Sequence, residues 1–134
     1  MAYFLDTNTC IYFLNNSNPA LSTRLKNTPV ENIKIPSMVA AELLYGAEKS
    51  AKREQNLKYF KAFLSIYEII FFDDKAAGSY AVIRAELERK GQMIGSNDLV
   101  VAATVIANNG VLVTHDLNEF SRIEKLKTED WMTM

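Results

Sequence analysis

Cysteine and histidine are nearly absent from this sequence. Its 134 residues include one cysteine, Cys10, and one histidine, His115. A single cysteine excludes a disulfide bond within the chain and fits a reducing compartment. A single histidine excludes a site built on two histidines of one chain, whether for acid–base chemistry or for zinc. Acid–base or metal-dependent catalysis by this protein must therefore depend on carboxylates.

An excess of positive charge is also missing. There are 15 Lys and Arg residues against 16 Asp and Glu residues, which gives a formal net charge of −1 at pH 7. A protein that grips duplex nucleic acid by charge alone needs a broad basic surface. Any contact with nucleic acid must therefore be local, or be mediated by bound cations.

Long apolar runs and linkers are absent as well. No apolar stretch approaches the roughly 20 residues that a membrane-spanning helix needs. The N-terminal segment reaches the charged Asp6 without forming the apolar core of a signal peptide. The three prolines fall in predicted connections, and no repeat or low-complexity tract divides the chain. We therefore expect a single domain over residues 1–134, a cytoplasmic location and no membrane partner.

Short apolar runs alternate with helical patterns along the chain. The predicted strands are 2–5, 33–35, 67–72 and 111–114, and the predicted helices are 7–14, 20–26, 37–47, 54–65, 74–90 and 97–108. Ser37 and Asp74 are predicted to cap helices, and Gly91 to end one. Nearly continuous apolar strands are typical of a parallel sheet covered on both faces. The alternation predicts an α/β fold, a three-layer α/β/α sandwich with a mostly parallel central sheet.

Four acidic residues fall where sites form in such a sheet, at the carboxyl ends of its strands. Asp6 follows the first strand, Glu42 lies one turn into the helix after the second, Asp98 begins a later helix, and Asp116 follows the last strand. These carboxylates can converge at one edge. Two such charges about 6 Å apart repel by about 3 kcal/mol at an effective dielectric near 20. The four must therefore take up protons or recruit a metal.

Carboxylate oxygens favour Mg²⁺ or Mn²⁺ over zinc. Two such ions about 3.5–4 Å apart activate water and stabilise the leaving oxygen of a phosphodiester, which gives an acidic protein a way to engage RNA. Structural explanations stay open for three of the acids: Asp6 as a helix cap, Asp98 as a first-turn acid and Asp116 as a turn residue. Glu42 is harder to explain in this way, because it interrupts the apolar run 38–46.

Polar neighbours of the acids extend this hypothesis. Thr7 and Asn8 follow Asp6 and are predicted to orient it through hydrogen bonds, although helix capping is a compatible explanation. His115 precedes Asp116 and is an alternative general base. A lone histidine often has a structural role, and bound metal already lowers the pKa of water.

Four segments occur in a recognisable order: YFLDTN, AAELLYGAEKS, RAELERKGQMIGSNDLVVAA and VLVTHDLNEFSRI. Together they resemble the PIN domain and, more narrowly, the VapC toxins of bacterial type II toxin–antitoxin modules, over residues 5–131. The resemblance implies an α/β/α PIN fold and a Mg²⁺-dependent endoribonuclease. It also implies that Asp6 and Asp98 hold the essential metal, and that Glu42 and Asp116 complete an acidic quartet.

The last motif departs from the family pattern. Close relatives often have Thr-Asn-Asn where this chain has Thr114, His115 and Asp116, and an acid three residues later serves instead. This sequence has both Asp116 and Glu119. Asp116 is preferred as the fourth acid because it is nearer the strand end, while Glu119 either assists or faces solvent.

The resemblance also implies a substrate and partners. The substrate is RNA, with tRNA and the anticodon loop of initiator tRNA as candidates, and its cleavage inhibits translation. A cognate VapB antitoxin neutralises the enzyme and contacts operator DNA, and the toxin forms a homodimer or a hetero-oligomer with it. The alternatives are a chromosomal RNA-processing PIN nuclease and a phospho-acceptor receiver-like signalling domain. A receiver needs a second acid after Asp6 and a lysine after the last strand, and this chain has neither there.

Overall fold

Five parallel strands form the central sheet of the computed structural model, which describes residues 1–133. The strands are β1 (Tyr3–Leu5), β2 (Ile33–Pro36), β3 (Glu68–Ile70), β4 (Val111–Val113) and β5 (Lys127–Glu129). Their order across the sheet is β3-β2-β1-β4-β5, and every neighbouring pair is parallel. The predicted α/β fold with a mostly parallel sheet is confirmed.

Helices connect the strands and cover the sheet. They are α1 (Thr7–Leu14), α2 (Pro19–Lys26), α3 (Ser37–Glu48), α4 (Arg53–Leu64), α5 (Asp74–Lys90), α6 (Ser96–Ala107) and α7 (Leu117–Phe120), with a 3₁₀ turn at Val30–Asn32. The first six match predicted helices to within a residue or two at each end. No helix within residues 1–133 has both the length and the apolar composition needed to cross a membrane.

Two predicted helix caps are wrong by one residue. Ser37 is the first residue of α3, and Pro36 occupies the cap position. The cap of α5 is Asp73, whose side chain accepts a first-turn N–H, so Asp74 lies inside the helix. Gly91 ends α5 with a φ of 63°, as predicted. The hydroxyl of Ser37 instead accepts the backbone N–H of Phe72 after β3, and of the two adjacent acids before α5 the first, Asp73, makes the cap bond.

The apolar core fixes the edge at which the acids meet. Phe4 and Leu5 of β1 and Leu112 and Val113 of β4 are all buried in the middle of the sheet. The helix α6 packs beside them, with seven of its twelve residues buried. Because β1, β2 and β4 are parallel neighbours, their carboxyl ends lie side by side. The segments that follow these strands, including the start of α1 and of α3, therefore share one edge.

A glycine before β4 generates a stability prediction. A Cβ atom at Gly110 would lie 2.4 Å from Cε1 of Phe4 and 3.2 Å from the carbonyl oxygen of Ala2. Phe4 is 1% exposed, so its ring has no free space to move into. We expect Gly110→Ala to lower the free energy of unfolding by about 2 kcal/mol in urea denaturation.

Gly78 provides the matched control. It lies inside α5, and a Cβ atom there meets nothing within 4 Å. Gly78→Ala should raise the free energy of unfolding by about 0.5–1 kcal/mol, since alanine favours the helix. Equal effects of the two substitutions would contradict the packing described for Gly110.

Candidate active site

Asp6 lies directly after β1, and both of its carboxylate oxygens are engaged. Oδ1 accepts the backbone N–H of Thr9 at 2.8 Å, and Oδ2 accepts the hydroxyl of Thr114 at 2.5 Å. The first bond makes Asp6 the N-cap of α1. Burial raises the pKa of Asp6, and the hydrogen bonds oppose that change. Each oxygen keeps a further lone pair, so Asp6 can cap the helix and still bind a cation.

Thr114 connects two of the predicted acids. Its hydroxyl donates to Asp6 and accepts the backbone N–H of Asp116 at 3.0 Å. Its own backbone N–H donates to the carbonyl of Glu129 on β5, also at 3.0 Å. Thr114 is 1% exposed, so water does not compete for these bonds. The residue therefore fixes the acid after β1 relative to the acid after β4.

Three carboxylates converge on the side of Asp116. Asp98, Asp116 and Glu119 each place one oxygen within 4.8 Å of the other two. Asp98 lies in the first turn of α6, and Asp116 caps α7 by accepting the N–H of Glu119 at 3.4 Å. This single turn of helix places Glu119 beside Asp116. The half-buried Glu119 thus joins the group rather than facing solvent alone.

Burial and neighbouring carboxylates together raise the pKa of Asp98. Its pKa is raised from 3.8 to about 7, first by the burial of the carboxyl and then by a hydrogen bond with Glu119. The charges of Glu119, Glu42 and Asp116 raise it further. A cation among these oxygens relieves the repulsion as a proton does. Because the three donors are all carboxylate oxygens, the residues fit a hard divalent cation.

Glu42 reaches this region from α3. Its Oε1 accepts the hydroxyl of Thr7 at 2.6 Å, and its Oε2 accepts the side-chain amide of Asn97 at 3.3 Å. Thr7 adjoins Asp6 and Asn97 adjoins Asp98, so these two bonds hold Glu42 between the other acids. The structure thus brings the four predicted acids to one edge, with Asp6 and Glu42 outside the tightest group.

The hydrogen bonds around Asp6 differ from those predicted. Thr7 donates to Glu42 and not to Asp6, and Asn8 is exposed. Thr9 and Thr114 orient Asp6 instead. Sequence reasoning missed Thr114, although a hydroxyl at the end of a buried strand, two residues before an acid, was a usable signal.

His115 is placed by a different carboxylate. Its Nδ1 lies 2.8 Å from Oδ2 of Asp130, and its side chain is 52% exposed. Asp130 directly follows β5, so this contact joins the loops after two neighbouring strands. The contact gives His115 a structural role, in line with the interpretation preferred over its use as a general base.

Known proteins match this chain over almost its full length. The PIN domain family model matches residues 3–126. Ribonuclease VapC2 of Rickettsia felis is 46% identical over 132 residues, covering 98% of each chain. The tRNA(fMet)-specific endonuclease VapC of Salmonella typhimurium is 39% identical over 131 residues, again covering 98% of each chain.

Solved structures agree with the sequence matches. VapBC2 from Rickettsia felis, bound to a DNA fragment from its promoter, gives a TM-score of 0.89 at 44% identity, over 98% of this chain and 99% of that one. DNA-bound VapBC from Salmonella typhimurium gives a TM-score of 0.92 at 38% identity, over 98% of both chains. The chain therefore belongs to the PIN domain family and, within it, to the VapC ribonucleases.

Proposed function

We propose that this protein is the toxin of a type II toxin–antitoxin module and cleaves RNA with a divalent metal. Its catalytic residues are Asp6, Glu42, Asp98 and Asp116, and Asp6 and Asp98 hold the metal, which is Mg²⁺ with Mn²⁺ as a substitute. The observation that carries the proposal is the group of carboxylates around Asp98, together with its pKa of about 7. Glu119 belongs to the same group and assists Asp116.

When bound, the divalent ion polarises the phosphodiester and lowers the pKa of water. The chain's own residues position these reactants. Thr9 and Thr114 hold the carboxylate of Asp6 in one orientation, and Thr7 and Asn97 do the same for Glu42. In-line attack of water on phosphorus breaks the bond to the 3′-oxygen, which leaves 5′-phosphate and 3′-hydroxyl ends.

The proposed substrate is tRNA, with the anticodon loop of initiator tRNA as the candidate. Relatives named tRNA(fMet)-specific endonucleases, from Salmonella typhimurium and Shigella flexneri, are 39% and 36% identical to this chain. The acids lie at the end of the sheet and are at least partly buried, so unpaired nucleotides reach them more easily than a duplex does. Cleavage of initiator tRNA inhibits translation.

The proposed partner is a cognate VapB antitoxin. Support comes from the similar VapBC structures, two of which are bound to DNA. A basic side chain of the antitoxin among the carboxylates relieves their repulsion as a metal does and therefore competes with it. With a net charge of −1, this chain is expected to contact operator DNA only through the antitoxin. A single domain, a cytoplasmic location and a homodimer or hetero-oligomer stay predictions.

Two alternatives are less well supported. Family membership favours a nuclease over a receiver-like signalling domain. The relatives named VapC, at 46% and 36% identity, favour a toxin over a chromosomal RNA-processing nuclease.

Cleavage of RNA tests the proposal. Protein purified free of antitoxin is incubated with total tRNA in Mg²⁺ or in EDTA, and the products are separated on a denaturing gel. We expect discrete fragments that require Mg²⁺. Asp98→Asn should slow their formation by more than about 100-fold, because it removes a metal ligand.

The control for this assay is Asp74→Asn, which neutralises an exposed acid in the first turn of α5. It should cleave at the wild-type rate. Fragments that persist in EDTA, or that Asp98→Asn produces as fast as the wild type, would contradict the proposal.

The raised pKa of Asp98 also predicts a dependence of stability on pH. Its folded-state pKa of about 7 lies above the ordinary value of 3.8. The folded protein therefore binds more protons than the unfolded chain between these values, and the contribution of Asp98 to stability falls as pH rises. Without metal at pH 8, we expect Asp98→Asn to raise the melting temperature by about 2–4 °C, a small effect because solvent screens the half-buried group.

Thermal denaturation followed by circular dichroism measures this effect. The difference between wild type and Asp98→Asn should shrink towards pH 4, and Mg²⁺ should stabilise the wild type more than the variant. A variant that melts below the wild type at pH 8 without metal would show that the charge of Asp98 does not destabilise the fold.

A further inference from the structure

A groove of about 550 Å³ opens beside the acidic residues and continues along α3. Its lining includes Thr7, Glu42 and Asn97, which the hydrogen bonds of the site already join. The rest of its lining includes Ile11, Met38, Ala41, Tyr45 and Lys49. We call this feature the α3 groove. Its volume falls within the range of pockets that hold one small organic ligand.

Tyr45 is a solvent-exposed aromatic side chain close to the acidic residues. It is 63% exposed and lies three residues after Glu42, on the same face of α3. The Nζ atom of Lys49, one turn further, lies 4.8 Å from the centroid of its ring. With Lys49 over the ring, most of the Tyr45 side chain still faces solvent, and it lines the groove. Exposed aromatic rings beside cations serve as stacking platforms in proteins that bind single-stranded nucleic acid.

Charge favours a nucleotide over an apolar peptide segment as the occupant. Among residues 1–133, no carboxylate lies within 4.0 Å of the Lys49 ammonium, so its charge is available to an anion. At the other end, Glu42 belongs to the site that is proposed to act on a phosphodiester. A nucleotide presents a flat, largely apolar base and a phosphate, and so matches both the apolar lining and the cation.

We propose that the α3 groove binds the base of a nucleotide next to the scissile phosphate. Tyr45 stacks on the base, and Lys49 contacts the RNA backbone. The proposal rests on the ribonuclease function and adds a reason for its choice of substrate. A base stacked on Tyr45 cannot remain stacked in a duplex, so the groove selects unpaired nucleotides.

Fluorescence tests the binding step without requiring cleavage. Tyr45→Trp places a fluorophore in the groove, while the native Trp131 is 3% exposed and supplies a constant background. The measurement uses the Asp98→Asn background in EDTA, which blocks hydrolysis. A single-stranded RNA pentanucleotide should quench the new fluorescence, and an abasic pentanucleotide with the same number of phosphates should not. Any result other than this dependence on the bases overturns the proposal.

Kinetics test the same contact in the active enzyme. Tyr45→Ala should raise KM for RNA at least 5-fold, as expected for the loss of one base–aromatic stack, with kcat within about twofold of wild type. Tyr45→Phe, which keeps the ring, should restore the wild-type KM. The matched control is Phe71→Ala, since Phe71 is 71% exposed and does not line the groove.

The outcomes separate the two proposals. An active enzyme whose KM is unchanged by Tyr45→Ala retains the ribonuclease function and overturns the role of the groove. If the wild-type protein does not cleave RNA, the proposed ribonuclease function is wrong. The fluorescence experiment then still decides whether the groove binds bases. If Tyr45→Ala weakens binding of an antitoxin peptide but not of RNA, the groove is a protein-binding surface and the proposal is wrong.

Discussion

Mutual repulsion among carboxylates is the constraint on which this site depends. Asp98, Asp116 and Glu119 place oxygens within 4.8 Å of one another, and the pKa of Asp98 is raised to about 7 as a result of burial and these neighbours. Side chains that repel each other move apart unless other bonds hold them. The hydroxyl of Thr114 and the N-cap formed by Asp116 supply such bonds. The fold thus holds an arrangement that is unfavourable until a cation joins it.

The parallel sheet explains how such an arrangement arises from distant parts of the chain. Asp6 and Asp116 follow two strands that are neighbours in the sheet, although they are 110 positions apart in sequence. Glu42 arrives on the helix after a third strand, and Asp98 on α6, which packs against the core through an almost wholly apolar surface. The strands and helices of the fold set the positions of the acids, so few additional residues are needed to build the site. Repulsion among the acids lowers the stability of the folded protein only at the site itself, as is common for functional residues.

The strands, helices and acidic residues with a strong local sequence signal could be predicted. The apolar runs of β1 and β4, the periodic helices and the acids that follow these two strands, Asp6 and Asp116, were predictable in this way. The strand β5 was not, because its sequence, Lys127–Glu129, is polar and lies at the sheet edge. The four-residue helix α7 is too short to show a period, so the sequence left open whether Glu119 assists the other acids or faces solvent. Tyr45 is an aromatic residue within an apolar stretch of α3, and only the structure shows that it is exposed.

The most direct test of the crowded carboxylate site is the pKa of Asp98, measured by a carbon-13 NMR titration of its carboxyl group with and without Mg²⁺. In the metal-free protein we expect a midpoint near 7. With saturating Mg²⁺ we expect a midpoint below about 5, because a bound cation favours the charged form. A midpoint near the ordinary value of 3.8 in both conditions would show that the carboxylates neither crowd one another nor share a cation.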